Sequence, residues 1–539
     1  MEILSVAEMR EVERLADARG LSYAQMMQNA GRGAAAIIRQ RLNVLQIPRP
    51  RALILVGPGN NGGDGLVCAT ALAEAGLTVQ CYLLKPRSDD DAVYATARAQ
   101  GIFMADAQND MRLRVFHQML AHANVIVDAL LGTGVSRPIE GTLRDILRAV
   151  SVRRREAATA RPFLVALDGP TGMNYDTGAL DPVTPFADLT ITFHAPKRGH
   201  YCFPAAGARG ELVVAPIGVA EAGIGDWRSL ADSAMPISHI QLADEALVRD
   251  LLPARRADAN KGTFGRALVI GGCGDYVGAP GLAARAAYRV GAGLVALAVP
   301  EALKPSLAAV CSEAIFVSLP GTSDRHTPAG ASRINAWLAG IKGGAAVALG
   351  PGIGQAGETA EFVAGLLEAW VARQVELKGL VCDADALNVL AQMPNWPARL
   401  PRMTVLTPHA GEMARLAGMT IDDVQADRIG HALQCADAWG HVVVLKGAHT
   451  VIAAPERRGA VLPFANPAMA TAGTGDVLAG CIAGLMAQGL APFEAAVCGA
   501  YLHGAAGEHW RGAHGDAGML AGDLTTLLPD VLRRITVRG

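Results

Sequence analysis

One pattern recurs along nearly the whole chain. A short run of Val, Ile, Leu and Ala is followed by a turn of glycine and polar residues, then by an Ala-rich stretch of helical length. The runs at 52–56, 78–84, 125–129, 163–167 and 189–193 carry it through the first half. Those at 266–270, 294–299, 345–349, 379–382, 403–406 and 442–445 carry it through the second. Strands that are apolar on both faces and alternate with helices belong to parallel sheets covered on both sides. In such sheets the turns after the strands fall on one rim, which is where ligands bind. The pattern therefore predicts α/β layers and directs the search for function to strand ends.

A chain of 539 residues exceeds one core, so two or more domains are expected. Only 5% of residues are aromatic and 61 are glycine, which suits Ala-rich helices and glycine turns. The boundaries read as a first domain at 1–220, a connector at 221–243 without clear period, and a second domain at 244–539. A net charge of −2 gives no electrostatic case for nucleic acid or an anionic membrane. Glu2, Glu8, Glu11 and Glu13 exclude a signal peptide reading of the first residues. The longest apolar run, 477–491, is broken by Gln488 and reads as a buried helix rather than a membrane span. Nine scattered cysteines without a CxxC motif suggest reduced thiols, hence a cytoplasmic protein, and a homo-oligomer is the expected assembly.

In the first half, the strand at 52–56 runs into Gly57-Pro58-Gly59-Asn60-Asn61-Gly62-Gly63-Asp64-Gly65. The glycines satisfy GxGxxG, a weak signal alone. A dinucleotide site would place an acid after the next strand, and Leu84-Lys85-Pro86 stands there instead, against a standard NAD dehydrogenase. Turn geometry accounts for the glycines but not for two amides and a carboxylate bunched at a strand end, which favours a ligand or ion site. Asp128, Asp168 and Lys197 follow later strands, so topology gathers them on the same rim as Asp64. One aspartate there would read as a helix cap; four charged groups favour a site.

In the second half, the polar ends read GPGIG (350–354), DADALN (383–388), PHAGE (408–412) and KGAHT (446–450). The stretch AMATAGTGDVLAG (468–480) holds Gly473, Thr474, Gly475 and Asp476 ahead of a small, apolar run. A helix opening on glycines presents free N–H groups and its positive dipole end, a site for phosphate. Asp476 in the first turn could take a proton from a hydroxyl approaching the phosphorus. Taken alone it fits an ordinary capping aspartate equally well. His409 and Lys446 singly fit loop residues, and Asp383 and Asp385 fit turn residues; the set together favours a site. No P-loop occurs. His503, His509 and His514 do not share a helical face and read as core and loop histidines rather than a metal site.

These motifs carry a resemblance. GNNGGDG, DALLGTG, LDGPTG and HAPK together resemble the NAD(P)H-hydrate epimerase domain over about residues 1–220. The resemblance implies a Rossmann-like three-layer sandwich that interconverts the R and S hydrates of NADH and NADPH (NADHX and NADPHX). It implies substrate contacts from Asn60, Asn61, Gly62, Gly63 and Asp64, and from Gly132, Thr133, Gly134, Val135, Ser136, Arg137 and Pro138. Asp168 would be the acid/base, Lys197 would help place the substrate, and Asn61, Asp128 and Thr171 would bind K+. Thr171 stands where the family usually has Ser; either hydroxyl can coordinate a cation. The second half resembles the ADP- or ATP-dependent NAD(P)H-hydrate dehydratases, which have a ribokinase-like α/β fold. Ala279, Gly352, His409 and Asp476 would contact the hydrate. Lys446, Gly447, Ala448, His449, Thr450 and Gly475 would contact the nucleotide, and Mg2+ would accompany it.

Both halves together are similar to the bifunctional NAD(P)H-hydrate repair enzymes. That resemblance implies dehydration of the S hydrate to NAD(P)H at the expense of ADP, giving AMP and phosphate. A ribokinase-like small-molecule kinase with an accessory ligand-binding domain is the first rival, since GTGD would serve it equally. A non-enzymatic binding protein is the second. The charged rim of the first half argues against the former, and the intact Asp168 and Lys197 against the latter.

Overall fold

The computed structural model describes all residues except 48, 135–136, 157–160, 232–236, 321–322 and 538–539. The chain divides into two compact units, residues 2–237 and residues 238–539 together with Met1. The expected connector, 221–243, is partly structured: Trp227 is buried in the first unit's core, and 239–242 form a strand in the second unit. Within it, 232–236 lie outside the described residues.

The first unit has strands β1 (Arg51–Val56), β2 (Thr78–Leu83), β3 (Phe103–Asp106), β4 (Val125–Ala129), β5 (Phe163–Leu167), β6 (Leu189–Phe193) and β7 (Glu211–Ala215). All pair in parallel, in the order β3-β2-β1-β4-β5-β6-β7. Alternate strand residues enter different cores. Ala52, Ile54 and Val56 pack with Ala30, Ala34 and Leu66, whereas Leu53 and Leu55 pack with Phe116, Met119 and Ile146. A period of two splitting into two helix-covered cores makes a three-layer sandwich. The order reverses between β1 and β4, and the strand ends at this reversal are where a parallel sheet binds its ligands. The helical start of the chain is two helices, Val6–Ala18 and Tyr23–Val44, the first closed by a capping box between Ser5 and Glu8.

The second unit has β8 (His239–Leu242), β9 (Arg266–Ile270), β10 (Leu294–Pro300), β11 (Ile315–Leu319), β12 (Ala345–Leu349), β13 (Leu377–Cys382), β14 (Val405–Leu406), β15 (Val442–Leu445), β16 (Val451–Ala454) and β17 (Arg458–Val461). The order is β11-β10-β9-β12-β13-β14-β15-β16-β17-β8. The sheet is parallel from β11 to β15, turns antiparallel through the hairpin β16–β17, and ends with β8 parallel to β17. Its reversal lies between β9 and β12.

The helix Thr474–Ala487 is central to this unit. Every residue from Val477 to Ala487 is buried, as the apolar run predicts. It lies close to the helix Ala279–Arg289: a Cβ on Gly480 would stand 2.1 Å from the Ala283 carbonyl oxygen, and one on Gly484 2.8 Å from that of Ala287. The glycines are what let the two backbones approach.

The α/β class with two domains therefore holds. All nine cysteines are free and buried. Among the described residues, no helix is long and apolar enough to cross a membrane.

Candidate active sites

At the first unit's crevice, the loops after β1 and β4 cross closely. A Cβ on Gly57 would stand 1.6 Å from the Leu130 carbonyl oxygen, and one on Gly62 2.0 Å from that of Gly57. These glycines thus have a structural reason, and the polar residues between them are left to be explained. Asn61 is buried at the start of the helix Asn60–Glu74 and donates Nδ2–H to the Leu131 carbonyl at 3.2 Å. The Leu131 N–H donates to Thr171 Oγ1 at 3.1 Å. Thr171 in turn donates its hydroxyl to Asp128 Oδ1 at 2.7 Å and its N–H to Oδ2 at 2.9 Å. Burial raises the Asp128 pKa, against the pull of the Thr171 donors. The Asn61 side-chain oxygen is buried and has no partner, an anomaly in an otherwise satisfied cluster. Gly132 lies against Asn61, since a Cβ there would be 3.3 Å from the Asn61 Cβ. Thr133 is half-buried, while Gly134, Arg137 and Pro138 are exposed; Val135 and Ser136 lie outside the described residues.

Beside this cluster, Asp168 follows β5 in the left-handed region at φ 61°, a costly conformation for a non-glycine residue that is concentrated at functional sites. Its Oδ1 accepts from Lys197 Nζ at 2.7 Å and from Thr192 Oγ1 at 2.8 Å. Its carbonyl is bonded at 2.8 Å to His200 Nε2. Burial works to raise the Asp168 pKa, but the Lys197 ammonium outweighs it and holds the carboxyl below its usual value. Burial and the Lys197 charge push the His200 pKa down to about 3, so that ring is a neutral prop. Asp64 is the opposite case: burial, then Asp168 and Glu13, raise its pKa well above normal.

The sequence reading did not single out Glu13, Thr192 or His200. Glu13, on the helix Val6–Ala18, has its pKa raised by burial and lies within the field of Lys197 and Asp168. The helix is brought there by the segment before it: the Leu4 N–H donates to the Pro196 carbonyl at 3.0 Å and the Leu4 carbonyl accepts from the Arg198 N–H at 3.0 Å. No local motif marks that docking.

In the second unit the reversal brings Gly352 (φ 64°) against the loop after β9. A Cβ on Gly352 would be 2.7 Å from that of Tyr276 and 3.1 Å from that of Ala279. His409 caps the helix Ala410–Ala417. Its Nδ1 accepts from the N–H groups of Gly411 at 3.0 Å and Glu412 at 3.2 Å, which leaves Nε2 as the protonated nitrogen of the neutral ring. Nε2 faces Glu412 Oε1 at 3.5 Å, and Glu412 Oε2 lies 3.5 Å from Lys446 Nζ. Lys446 donates to Asp383 Oδ1 at 2.7 Å. Burial opposes the Lys446 charge, but Asp383 and Glu412 outweigh it and raise its pKa.

The loop 446–450 is held from behind by Arg428, which donates to the carbonyls of Leu445 and Lys446, each at 3.1 Å. The His449 ring is buried, with Nδ1 3.0 Å from the Leu462 carbonyl oxygen. His449 therefore offers the rim its backbone rather than its ring. Thr450 Oγ1 donates to the Gly447 carbonyl at 2.8 Å.

The helix Thr474–Ala487 opens on Gly473 at φ 90°, with Asp476 in its first turn. Gly475 adjoins the charged pair: a Cβ there would be 3.5 Å from Lys446 Nζ and 3.6 Å from Asp383 Oδ2. Burial, then the negative charge of Asp383, raise the Asp476 pKa to about 7, against the lowering effect of Lys446. A carboxyl titrating near neutrality beside a free helix N-terminus and a lysine is suited to proton abstraction next to an anion. His503 bonds the Thr474 carbonyl through Nε2 at 2.9 Å and is a core histidine, as read; burial lowers its pKa to about 4.

Each unit is thus an α/β enzyme-like domain with charged groups gathered at its strand-end crevice. A family profile described as NAD(P)H-hydrate dehydratase matches residues 267–530, and one described as YjeF-related protein N-terminus matches residues 23–199. A bifunctional NAD(P)H-hydrate repair enzyme of Thermofilum pendens is 35% identical over 99% of this chain and 97% of its own. Its namesake in Moorella thermoacetica is 37% identical, with the same coverage. The one from Escherichia coli is 33% identical over 97% of this chain and 93% of its own. A crystal structure of the ADP/ATP-dependent NAD(P)H-hydrate dehydratase from Bacillus subtilis, co-crystallised with ATP and Mg2+, is 32% identical over 55% of this chain and 98% of its own, with a TM-score of 0.47. The chain belongs to the family of bifunctional NAD(P)H-hydrate repair enzymes.

Proposed function

We propose that the chain repairs hydrated nicotinamide cofactors in two steps. The first unit, residues 2–237, epimerises the R and S hydrates, and the second, from residue 238, dehydrates the S hydrate with ADP. The observation that carries the second step is Asp476, with its pKa raised to about 7 beside Lys446 at an open helix start. Asp476 takes the proton of the C6 hydroxyl, and that oxygen attacks the terminal phosphorus of ADP. The bond to the bridging oxygen breaks and AMP leaves. Hydroxyl, a poor leaving group, has become phosphate, a good one. The ring nitrogen lone pair expels it, and loss of the C5 proton restores the dihydronicotinamide. Lys446, the backbone of 447–450 and the N–H groups from Gly475 onward hold the nucleotide and stabilise charge on the phosphoryl oxygens. Ala279, Gly352 and His409 hold the hydrate. ADP is expected to bring Mg2+, a hard cation bound largely through phosphate oxygens and water.

In the first unit, Asp168 acts on the hydrate as acid/base, oriented by Lys197 and Thr192. The loops at 60–64 and 132–138 hold the substrate. The unpartnered Asn61 Oδ1, with Asp128 and Thr171 close by, fits a K+ ion: three oxygen donors, one of them buried without a partner. That ion would neutralise the buried Asp128. Nine free, buried cysteines support a reducing compartment, and we place the protein in the cytoplasm.

The test mixes the purified chain with ADP, Mg2+, K+ and the two hydrate epimers and follows the absorbance of reduced nicotinamide. Full recovery is expected. Asp168→Asn should consume only S, and Asp476→Asn should recover neither. No recovery by the unaltered chain with either ADP or ATP would overturn the reading.

A further inference from the structure

The reading of the second unit as a dehydratase leaves one buried charge without a task. Asp383 follows β13 at the rim, is 1% exposed, and is pinned to the neighbouring strand by its N–H bond to the Leu349 carbonyl at 3.0 Å. Its Oδ1 accepts two hydrogen bonds, from Thr407 Oγ1 and from Lys446 Nζ, both at 2.7 Å. The carboxylate thereby ties together the ends of β13, β14 and β15. Its Oδ2 looks toward Gly475 at the start of the helix Thr474–Ala487. Burying a carboxylate and an ammonium together costs desolvation, and a neutral pair could clasp three loops equally well. The charges therefore call for a reason beyond stability.

We propose that Asp383 is a positioning residue of the dehydration reaction, which pins the Lys446 ammonium against the helix start and sets the electrostatic field in which Asp476 works. The proposal rests on the dehydratase reading. Lys446 is a flexible point charge, and without Asp383 its four-carbon stem would sample solvent. With Asp383 and Glu412 on one side, its uncommitted side adjoins Gly475, where a phosphoryl oxygen would sit. The groups facing Asp476 are few. Asp383 and Asp385 contribute negative charge, Lys446 positive charge backed by Glu412, and His503 is neutral above pH about 4. Loss of the Asp383 charge removes a repulsion, and the release of Lys446 removes a smaller attraction. The repulsion is the larger of the two, so the balance favours the ionised form of Asp476.

The experiment measures ADP-dependent dehydration of the S hydrate across pH by the full chain, Asp383→Asn and Asp383→Glu, with thermal melts as a check on folding. Asp383→Asn should raise the KM for ADP about tenfold or more, as expected for a released phosphate-binding lysine. It should also move the acid limb of kcat/KM down by about one pH unit. Substrate ionisation is common to all proteins and cancels from the difference. Asp383→Glu keeps the charge but displaces it, so the limb should stay while KM rises. An inactive unaltered chain would sink the underlying reading and the proposal with it. An active one whose Asp383→Asn variant keeps its KM and limb, or loses kcat uniformly at every pH with KM unchanged, would overturn Asp383 alone. Should Asp383→Asn fail to fold, an Asp383→Glu variant with unaltered KM would do the same.

Discussion

Asp476 sets function against stability at a single residue. Its pKa stands near 7 in the folded chain against 3.8 for an ordinary aspartate. The folded state therefore holds its proton over a window in which the unfolded chain has released it. Stability contributed by this group is full below about pH 4 and is lost as pH rises toward 7. At neutral pH the ionised carboxylate is a burden of ~1–4 kcal/mol on the fold, at about 1.4 kcal/mol per pKa unit before allowance for relaxation. Asp476→Asn removes that burden. It should abolish dehydration and at the same time raise the melting temperature of the second unit by roughly 2 °C or more at pH 8, with the gain shrinking toward pH 4. Calorimetry at the two pH values reads this directly; a variant that melts lower at pH 8 would show that the carboxylate is well solvated. The residue itself was legible in GTGD, but its raised pKa was not, because it comes from burial in the folded unit and then from Asp383, which reaches it from a distant strand end. The same holds at Asp168: the aspartate was visible after its strand, while its partners Thr192 and His200 come from positions with no motif of their own.

Among elements, the buried parallel strands were readable almost to the residue, because burial on both faces makes an unbroken apolar run. The strands that escaped notice lie toward sheet edges or in the hairpin. In β3, Phe103 is exposed and Met104 to Asp106 are half-buried; in β11, Ile315 is exposed and Phe316 half-buried. Half-exposed strands lose the apolar run that betrays the others. The β16–β17 hairpin turns through Glu456 and Arg457, both with positive φ, where a glycine or asparagine would have signalled the turn. The helix Thr474–Ala487 carries a prediction of its own. A methyl group on Gly480 would stand 2.1 Å from the Ala283 carbonyl oxygen, so neither backbone has room for it. Gly480→Ala should push the helix off Ala279–Arg289, lower stability by roughly 1–3 kcal/mol, and displace Asp476. The expected outcome is a fall in both melting temperature and dehydration rate while epimerisation of R to S persists. An unchanged dehydration rate would mean that helix placement is not set by this contact.

For the whole molecule, the order of strands decides where the chain can be divided. The sequence placed the second domain's start at 244, because residues 221–243 lack periodicity. In the structure 239–242 form β8, the edge strand beside β17, and Ile240 and Ala243 are fully buried. Four residues at a sheet edge are too short to show a period, and only their register with Arg458–Val461 reveals them. A fragment of residues 238–539 keeps β8 paired to β17; a fragment of 244–539 loses it and leaves β17 as the edge. Removing a buried Ile side chain costs about 2–5 kcal/mol, and the freed edge adds a surface for aggregation. The longer fragment should therefore fold and dehydrate the S hydrate with ADP while leaving R untouched. The shorter one should melt several degrees lower or precipitate. Equal melting temperatures would mean that β8 adds nothing to the second unit. Dehydration by the longer fragment alone, with R accumulating, would also show that the first unit is needed only to feed the second.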